Sequence, residues 1–210
     1  MPGTQVHLAL AGMLAAALLG TAFDRKSVLV VLGATAFPDL DAVVTFVFAG
    51  AHRTLLHTFF LPLGIGLVLW VDTSLRSESF VRQRWGHWGV RVAWVSVLSY
   101  AVAGIAVDFV SSGVNPLYPL HDQFYIFDGK LQFTDQRGIV QTFVDLSGGG
   151  AGSSEEVTVA TGINPDPRGT ETNPERIFPV ANSGWQLFVL VVGTVVTWAR
   201  FRFSFGHPEE

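Results

Sequence analysis

Apolar residues gather into five runs along the chain, separated by polar or charged segments. A helix needs about 20 mostly apolar residues to cross the hydrocarbon core of a bilayer. The pattern therefore predicts an all-α integral membrane protein with about five transmembrane helices. The runs cover 6–23, 28–50, 54–71, 88–110 and 184–199.

A long polar segment, 111–183, separates the fourth run from the fifth. It contains Gly148-Gly149-Gly150 and several Asn-Pro pairs, which favour loops. Alternating stretches at 123–127 and 157–161 are candidate strands. The segment is predicted to be a polar extramembrane insertion between helices 4 and 5, partly flexible. The chain then divides into a membrane domain (1–110), the insertion (111–183) and a last transmembrane helix with a short tail (184–210).

The composition agrees with a membrane protein. Hydrophobic residues make up 49% of the chain and charged residues 14%, whereas soluble domains carry about 25% charged residues. Cysteine is absent, which excludes disulfides, thiolate zinc sites and a cysteine nucleophile, so any metal site must use His, Asp or Glu. No dense basic cluster is present, which argues against nucleic acid as a partner.

The distribution of Lys and Arg predicts the orientation, because short cytoplasmic loops retain basic residues. With five spans, most basic residues in short loops fall on one side of the membrane. We therefore expect a multi-pass protein of the cell membrane with the N-terminus and the 111–183 insertion outside and the C-terminus cytoplasmic. The residues on the predicted cytoplasmic side are Arg25, Lys26, Arg76, Arg82, Arg84, Arg91, Arg200 and Arg202.

The same topology brings ionisable residues from four predicted helices to the outer face. Ionisable groups at membrane depth are costly to desolvate unless they are paired, metal-bound or in a water-filled cavity. Imidazole together with carboxylate suits zinc, iron or manganese. The pattern therefore indicates a divalent metal site. The candidate ligands are His7, Asp39, Asp41, His52, His57 and Asp108.

The local spacing constrains how these residues converge. If Pro38 breaks the helix and leaves the next residues extended, Asp39 and Asp41 point to the same side. His52 and His57 converge only if His52 lies in a turn before the third helix. Asp108 alone would also suit a helix end or a pair with Arg53. His121-Asp122, beyond the fourth run, is a further candidate ligand pair, although a surface loop fits it as well.

Several of these segments resemble the YdjM-type family of membrane-bound proteins, regarded as metal-dependent hydrolases. The resemblance covers residues 1 to about 120. It implies that the six candidate ligands hold metal and that the chemistry is distantly similar to that of zinc-dependent phospholipase C. The matching segments are 6–12 around His7, Pro38-Asp39-Leu40-Asp41, 52–58 from His52 to Thr58, and the Asp108 helix that leads into 115–120.

One position departs from the family pattern. The family usually has a His four residues before the aspartate of the fourth helix, and here that position is Gly104. The site then binds one metal fewer, uses His121 instead, or has kept the scaffold without activity.

The resulting hypothesis is a membrane hydrolase that acts on a phosphoester or lipid-linked substrate by metal-activated water, with zinc or manganese as cofactor. Asp41 or Asp108 would serve as general base and Arg53 would hold the substrate anion. Membrane lipid is the expected partner. The alternatives are a transporter or channel-like protein that uses the intramembrane carboxylates as a cation site, and a structural membrane protein without metal.

Overall fold

The chain is mostly helical in the computed structural model, which describes residues 3–111, 113–142 and 152–204. The helices are α1 (Thr4–Leu18), α2 (Arg25–Ala36), α3 (Asp41–Val44), α4 (Phe60–Trp70), α5 (Phe80–Ser99) and α6 (Gly184–Ser204). α4 continues as a π-helical turn, Val71–Leu75, and α5 continues through Tyr100–Ile105 and Ala106–Val110 as π and 3-10 turns. A hairpin joins β1 (Leu131–Thr134) and β2 (Gly138–Gln141).

Two helical segments of the described chain are long and apolar enough to cross a membrane, Phe80–Val110 and Gly184–Phe203. A third passes the same test when α2 and Pro38–Val44, bent by 44° relative to each other, are taken together. α1 has only 15 residues, or about 22 Å, against a hydrocarbon core of about 30 Å. The structure supports two or three spans, and the predicted five are not confirmed.

The third predicted run begins its helix later than expected. α4 starts at Phe60, and residues 51–59 form turns instead. The backbone N–H groups of Arg53 and Leu56 donate to the carboxylate of Asp41, 3.2 and 3.4 Å away, rather than to helical carbonyls. The prediction that His52 lies in a turn before this helix is confirmed.

Pro38 breaks the second run as predicted, but the residues after it are not extended. Pro38–Leu40 is a 3-10 turn and α3 follows at once. Proline has no N–H for the helical hydrogen bond and its ring crowds the preceding turn, so the chain bends here although Phe37 keeps a helical conformation. The expected extended segment is therefore wrong, and Asp39 and Asp41 project on different sides of a tight turn.

Polar caps fix the ends of α2 and α5 on the opposite side of the molecule from Asp41. Asp24 and Ser27 form a reciprocal capping box at the start of α2, and Trp88 donates its indole N–H to Asp24, 2.9 Å away. Asp72 accepts the Ser79 hydroxyl at 2.7 Å, next to the start of α5. These bonds hold α2, α4 and α5 in one arrangement.

α1 packs closely against α6 because small residues face each other. A Cβ atom on Gly12 would lie 2.4 Å from the Thr197 hydroxyl, and one on Gly193 would lie 2.4 Å from the Ala9 carbonyl oxygen. Such small residues let membrane helices approach closely. The adjoining core consists of Ala11, Ala15, Leu19, Ala22, Val28, Val31, Val92, Val95 and Ala103.

The described parts of the insertion dock on the membrane domain. Phe127 stacks on Phe109 with ring centroids 4.7 Å apart. The predicted strands at 123–127 and 157–161 are wrong: Tyr125 makes an isolated bridge to Val114, and the hairpin lies further along at 131–141. The Gly148-Gly149-Gly150 segment, predicted to be flexible, lies outside the described residues.

Candidate metal centre

The six predicted ligands come together between α1, the break after α2, the turns at 51–59 and the end of the Phe80–Val110 segment. All are buried except Asp39, whose side chain is 21% exposed. Burial of so many ionisable groups requires that each one be compensated by a partner. The partners are oxygen atoms that accept hydrogen bonds from the three imidazole rings.

Asp41 holds two of the rings by their Nδ1 atoms. His52 Nδ1 lies 2.6 Å from one carboxylate oxygen, and His57 Nδ1 lies 2.9 Å from the other. Because an ionised carboxylate only accepts hydrogen bonds, each Nδ1 carries the proton. With the backbone N–H groups of Arg53 and Leu56 added, the Asp41 carboxylate accepts four hydrogen bonds.

The third ring is fixed by the main chain. His7 Nδ1 donates to the carbonyl oxygen of Ala103, 2.6 Å away, in the π-helical stretch Tyr100–Ile105. Irregular helical turns of this kind occur frequently at functional sites. All three Nδ1 atoms are thus engaged by oxygen acceptors, which leaves the Nε2 atoms for other contacts.

Two of these Nε2 atoms face carboxylates. His57 Nε2 lies 3.3 Å from Asp108 Oδ2 and 3.6 Å from Asp39 Oδ1, and His7 Nε2 lies 3.5 Å from Asp108 Oδ1. Asp39 is oriented by the Thr4 hydroxyl, which donates to its other oxygen at 2.6 Å. Asp39 and Asp41 therefore contact opposite edges of the His57 ring.

Arg53 is buried beside this cluster in a left-handed backbone conformation, with a φ of 64°. Such a φ is costly for a residue with a side chain and persists where the surroundings fix it. Its guanidinium donates to Asp108 Oδ1 at 2.8 Å and to the Gly113 carbonyl at 3.2 Å. Arg53 thus compensates the charge of Asp108, the pairing considered from sequence as one alternative.

The residues present fit a metal ion. Asp41, His52 and His57 each offer a ligand atom, all within 4.8 Å of one another, and this buried group could hold a metal ion. Among the described residues, His52 Nε2 is a buried atom without a hydrogen-bond partner, and His57 Nε2 and Asp108 Oδ2 lie 3.3 Å apart without a well-formed hydrogen bond. Buried polar atoms of this type need a partner, and a divalent metal ion binds both imidazole nitrogen and carboxylate oxygen.

The remaining histidines of the described chain do not join the cluster. His121 is exposed and contacts the Tyr125 hydroxyl at 2.8 Å, while Asp122 bonds Asn115 and Ser154. The expectation that His121 substitutes for a missing ligand is therefore wrong for this structure. His87 is exposed on a different face.

Close packing explains why position 104 is a glycine. A Cβ atom there would lie 3.0 Å from the Pro38 ring and 3.1 Å from the Thr35 carbonyl oxygen. A histidine at this position would require α2 to move away from α5. The close contact at the Pro38 bend therefore accounts for a glycine at this position.

Two contributors were not predicted from the sequence. Thr4 lies one helical turn before His7, a spacing that puts both on one face of α1, and this signal could have identified it. The Ala103 carbonyl is a backbone group, and no side-chain pattern marks it.

The fold and the site define a helical membrane protein with a buried His/Asp cluster able to hold a metal ion. The chain belongs to the YdjM inner membrane protein family, whose model matches residues 1–164. This match extends past residue 120 into the insertion. No curated protein and no solved structure matches the chain.

Proposed function

We propose that this protein is a membrane-bound, metal-dependent hydrolase that cleaves a phosphoester bond, with a lipid-linked molecule as substrate. The observation that carries the proposal is the arrangement of the three imidazoles. Each Nδ1 is held by an oxygen acceptor, and the Nε2 atoms of His7 and His57 face carboxylates. A carboxylate or carbonyl behind the histidine is the usual support of a metal-binding imidazole.

The proposed ligands are His7, Asp39, His57 and Asp108. Ligand atoms around a tetrahedral ion, with bonds of about 2.0–2.1 Å, lie about 3.3 Å apart. The three Nε2–carboxylate separations of 3.3, 3.5 and 3.6 Å are close to this value. The donor set of imidazole and carboxylate suits zinc or manganese.

Asp41 is assigned to positioning rather than to direct metal binding or general base catalysis. Its carboxylate already accepts four hydrogen bonds, three on Oδ2 and one, from His52, on Oδ1. It holds the rings of His52 and His57 in one orientation and makes their Nε2 atoms more basic.

Arg53 is assigned to charge compensation. Its ion pair with Asp108 keeps that carboxylate ionised in a buried position, where an unpaired charge would be strongly disfavoured. The hydroxyl of Thr4 donates to Asp39 and fixes the orientation of that carboxylate. When bound, a divalent ion supplies Lewis acidity and a water of lowered pKa for attack on a phosphoester.

The position of the cluster supports a hydrolase over a transporter. Asp108 is near the end of the Phe80–Val110 segment, and His52 and His57 lie in the turns before α4. A transport site is expected near the middle of broken helices. We further propose that this end faces outward, with the C-terminus cytoplasmic, on the Arg and Lys distribution given above.

Metal analysis of detergent-purified variants tests the proposal. His57→Ala and Asp39→Ala should each lose most of the bound zinc or manganese, well beyond the 10- to 100-fold typical of changes behind the ligands. His87→Ala is the matched control, since His87 is exposed on another face, and it should keep its metal. Metal content per protein is measured by mass spectrometry.

A thermal unfolding midpoint with and without chelator separates ligand loss from misfolding, because an ion that binds only the folded state raises the midpoint. Wild-type protein that contains no metal and does not respond to added zinc or manganese would refute the hydrolase. Unchanged occupancy in both cluster variants would have the same consequence.

A further inference from the structure

A pocket of about 170 Å³ opens beside the cluster, between the first turn of α1, the Asp39 turn and the insertion. Its inner wall includes Asp39 and His52. Gly3, Thr4 and Gln5 form one side. The outer wall comes from two insertion segments, 161–163 and 178–179, and the second lies beyond the part of the chain that the family model matches.

The outer wall is fixed by specific bonds. Asn164 donates its side-chain amide to the buried hydroxyl of Thr45, 3.0 Å away. Arg176 donates to the carbonyl oxygens of Gly162 and Ile163, at 3.1 and 2.7 Å, and so joins the two segments. A Cβ atom on Gly162 would lie 2.5 Å from the Phe178 ring. The wall is therefore a packed part of the structure.

His52 provides a polar group without a partner at the inner wall. The residue is 2% exposed, its Nδ1 is engaged by Asp41, and its Nε2 has no hydrogen-bond partner among the described residues. Burial of such an atom is costly unless something bonds it. Because Nδ1 carries the proton that the ring donates to Asp41, the Nε2 lone pair accepts a hydrogen bond from a hydroxyl at this position.

We infer that this pocket binds the phosphoryl group of the substrate, with His52 Nε2 accepting a hydrogen bond from a phosphoryl hydroxyl and the insertion as the wall that limits substrate size. The inference rests on the proposed function. Pockets for drug-sized ligands measure about 300–1,000 Å³, so a pocket of about 170 Å³ admits a compact phosphoryl group. The rest of the substrate, including any lipid chain, stays outside.

Inorganic phosphate and a cysteine label provide the test. The chain has no cysteine, so Gln5→Cys places one thiol at the pocket, and Thr172→Cys places one at an exposed position outside it. With metal loaded and phosphate at ten times its dissociation constant, labelling of Gln5→Cys by a small methanethiosulfonate should slow about tenfold. Labelling of Thr172→Cys should not change.

A second pair of variants tests the insertion wall in the Gln5→Cys background. Ile163→Trp fills the pocket and should abolish the phosphate protection while metal content stays the same. Ile177→Trp, an exposed residue outside the pocket, should leave the protection intact. Retention of full phosphate protection in Ile163→Trp would refute the role of the wall.

The outcomes separate this inference from the proposed function. If metal binds but phosphate does not protect Gln5→Cys, the phosphoryl-binding role of the pocket is refuted, and the proposed hydrolase function is unaffected. Phosphate protection without any metal supports the pocket and counts against the hydrolase. Absence of both overturns both.

Discussion

Asp39 and Asp41 stand two residues apart and contact opposite edges of one imidazole. Asp41 meets His57 Nδ1 at 2.9 Å, and Asp39 approaches His57 Nε2 at 3.6 Å. The tight turn after Pro38 makes this possible, because an extended segment would have pointed both carboxylates the same way. The two aspartates of a single motif therefore have different chemical tasks.

This difference gives a prediction with two isosteric variants. Asp39→Asn removes a proposed ligand, whereas Asp41→Asn removes only the support behind two rings. Asp41→Asn should weaken metal binding about 10- to 100-fold, and Asp39→Asn should weaken it more. Competition with a chelator of known affinity measures both. A larger loss in Asp41→Asn would place the ion on the Asp41, His52 and His57 group instead.

The sequence allowed us to predict which six ionisable residues lie together. It did not allow us to predict what each of them does in the cluster. The six ionisable residues interrupt apolar runs, and the cost of burying them indicated a common site. The pairing of Arg53 with Asp108 was one of several uses considered for these two residues, and only the distance of 2.8 Å decides it. The contact of Gly104 with Pro38 depends on helix packing, which hydrophobic pattern does not specify.

At the scale of elements, Asp122 connects two parts of the insertion. Its carboxylate accepts hydrogen bonds from the Asn115 amide at 2.6 Å, and from the Ser154 amide and hydroxyl at 2.9 and 2.7 Å. Ser154 is only 3% exposed, although its glycine- and serine-rich surroundings predicted a loose segment. The two hydrogen bonds that Ser154 donates to this half-buried carboxylate explain why the serine packs.

The bonds to Asp122 should make docking of Ser154 depend on pH. Burial raises the pKa of the Asp122 carboxyl, but the bonds from Ser154 and Asn115 outweigh it and hold the pKa below the usual value of 3.8. A group with a lowered folded pKa stabilises fully above its unfolded pKa and loses this contribution as the pH falls through the folded value.

Hydrogen exchange of the Ser154 amide, corrected for its intrinsic rate, should therefore speed up below about pH 4. Asp122→Asn should open more readily at neutral pH and lack the acid step. Asp166→Asn serves as the control, because Asp166 is a half-buried carboxylate elsewhere in the insertion and bonds only the nearby Thr170 and Glu171. An acid step that persists in Asp122→Asn would assign the pH dependence to another group.

The helices were predictable where apolar runs were uninterrupted, as in α5 and α6. They were less predictable where a polar side chain bonds backbone N–H groups and so prevents helix formation. Residues 54–59 look helical by composition, but the Asp41 carboxylate takes two of the local N–H groups and α4 begins later. The hairpin at 131–141 was missed because short alternating stretches in a polar segment are weak signals.

At the scale of the whole molecule, the orientation in the membrane is the open prediction. A cysteine at Thr172, in the insertion, and one at Ser77, between α4 and α5, are both exposed. In intact cells, an impermeant maleimide should label the first and not the second, because the Arg-rich loops are expected inside. Labelling of Ser77→Cys with protection of Thr172→Cys would show that the orientation is inverted.

The ion pair between Arg53 and Asp108 joins residues 55 positions apart, and this separation has a consequence for biogenesis. A buried charge without its partner is strongly disfavoured. When Arg53 leaves the ribosome, its partner has not yet been made. The turn that carries Arg53 can therefore reach its final buried packing only after the segment with Asp108 has been made. Synthesis of α5 is the step that commits the membrane domain to its final assembly.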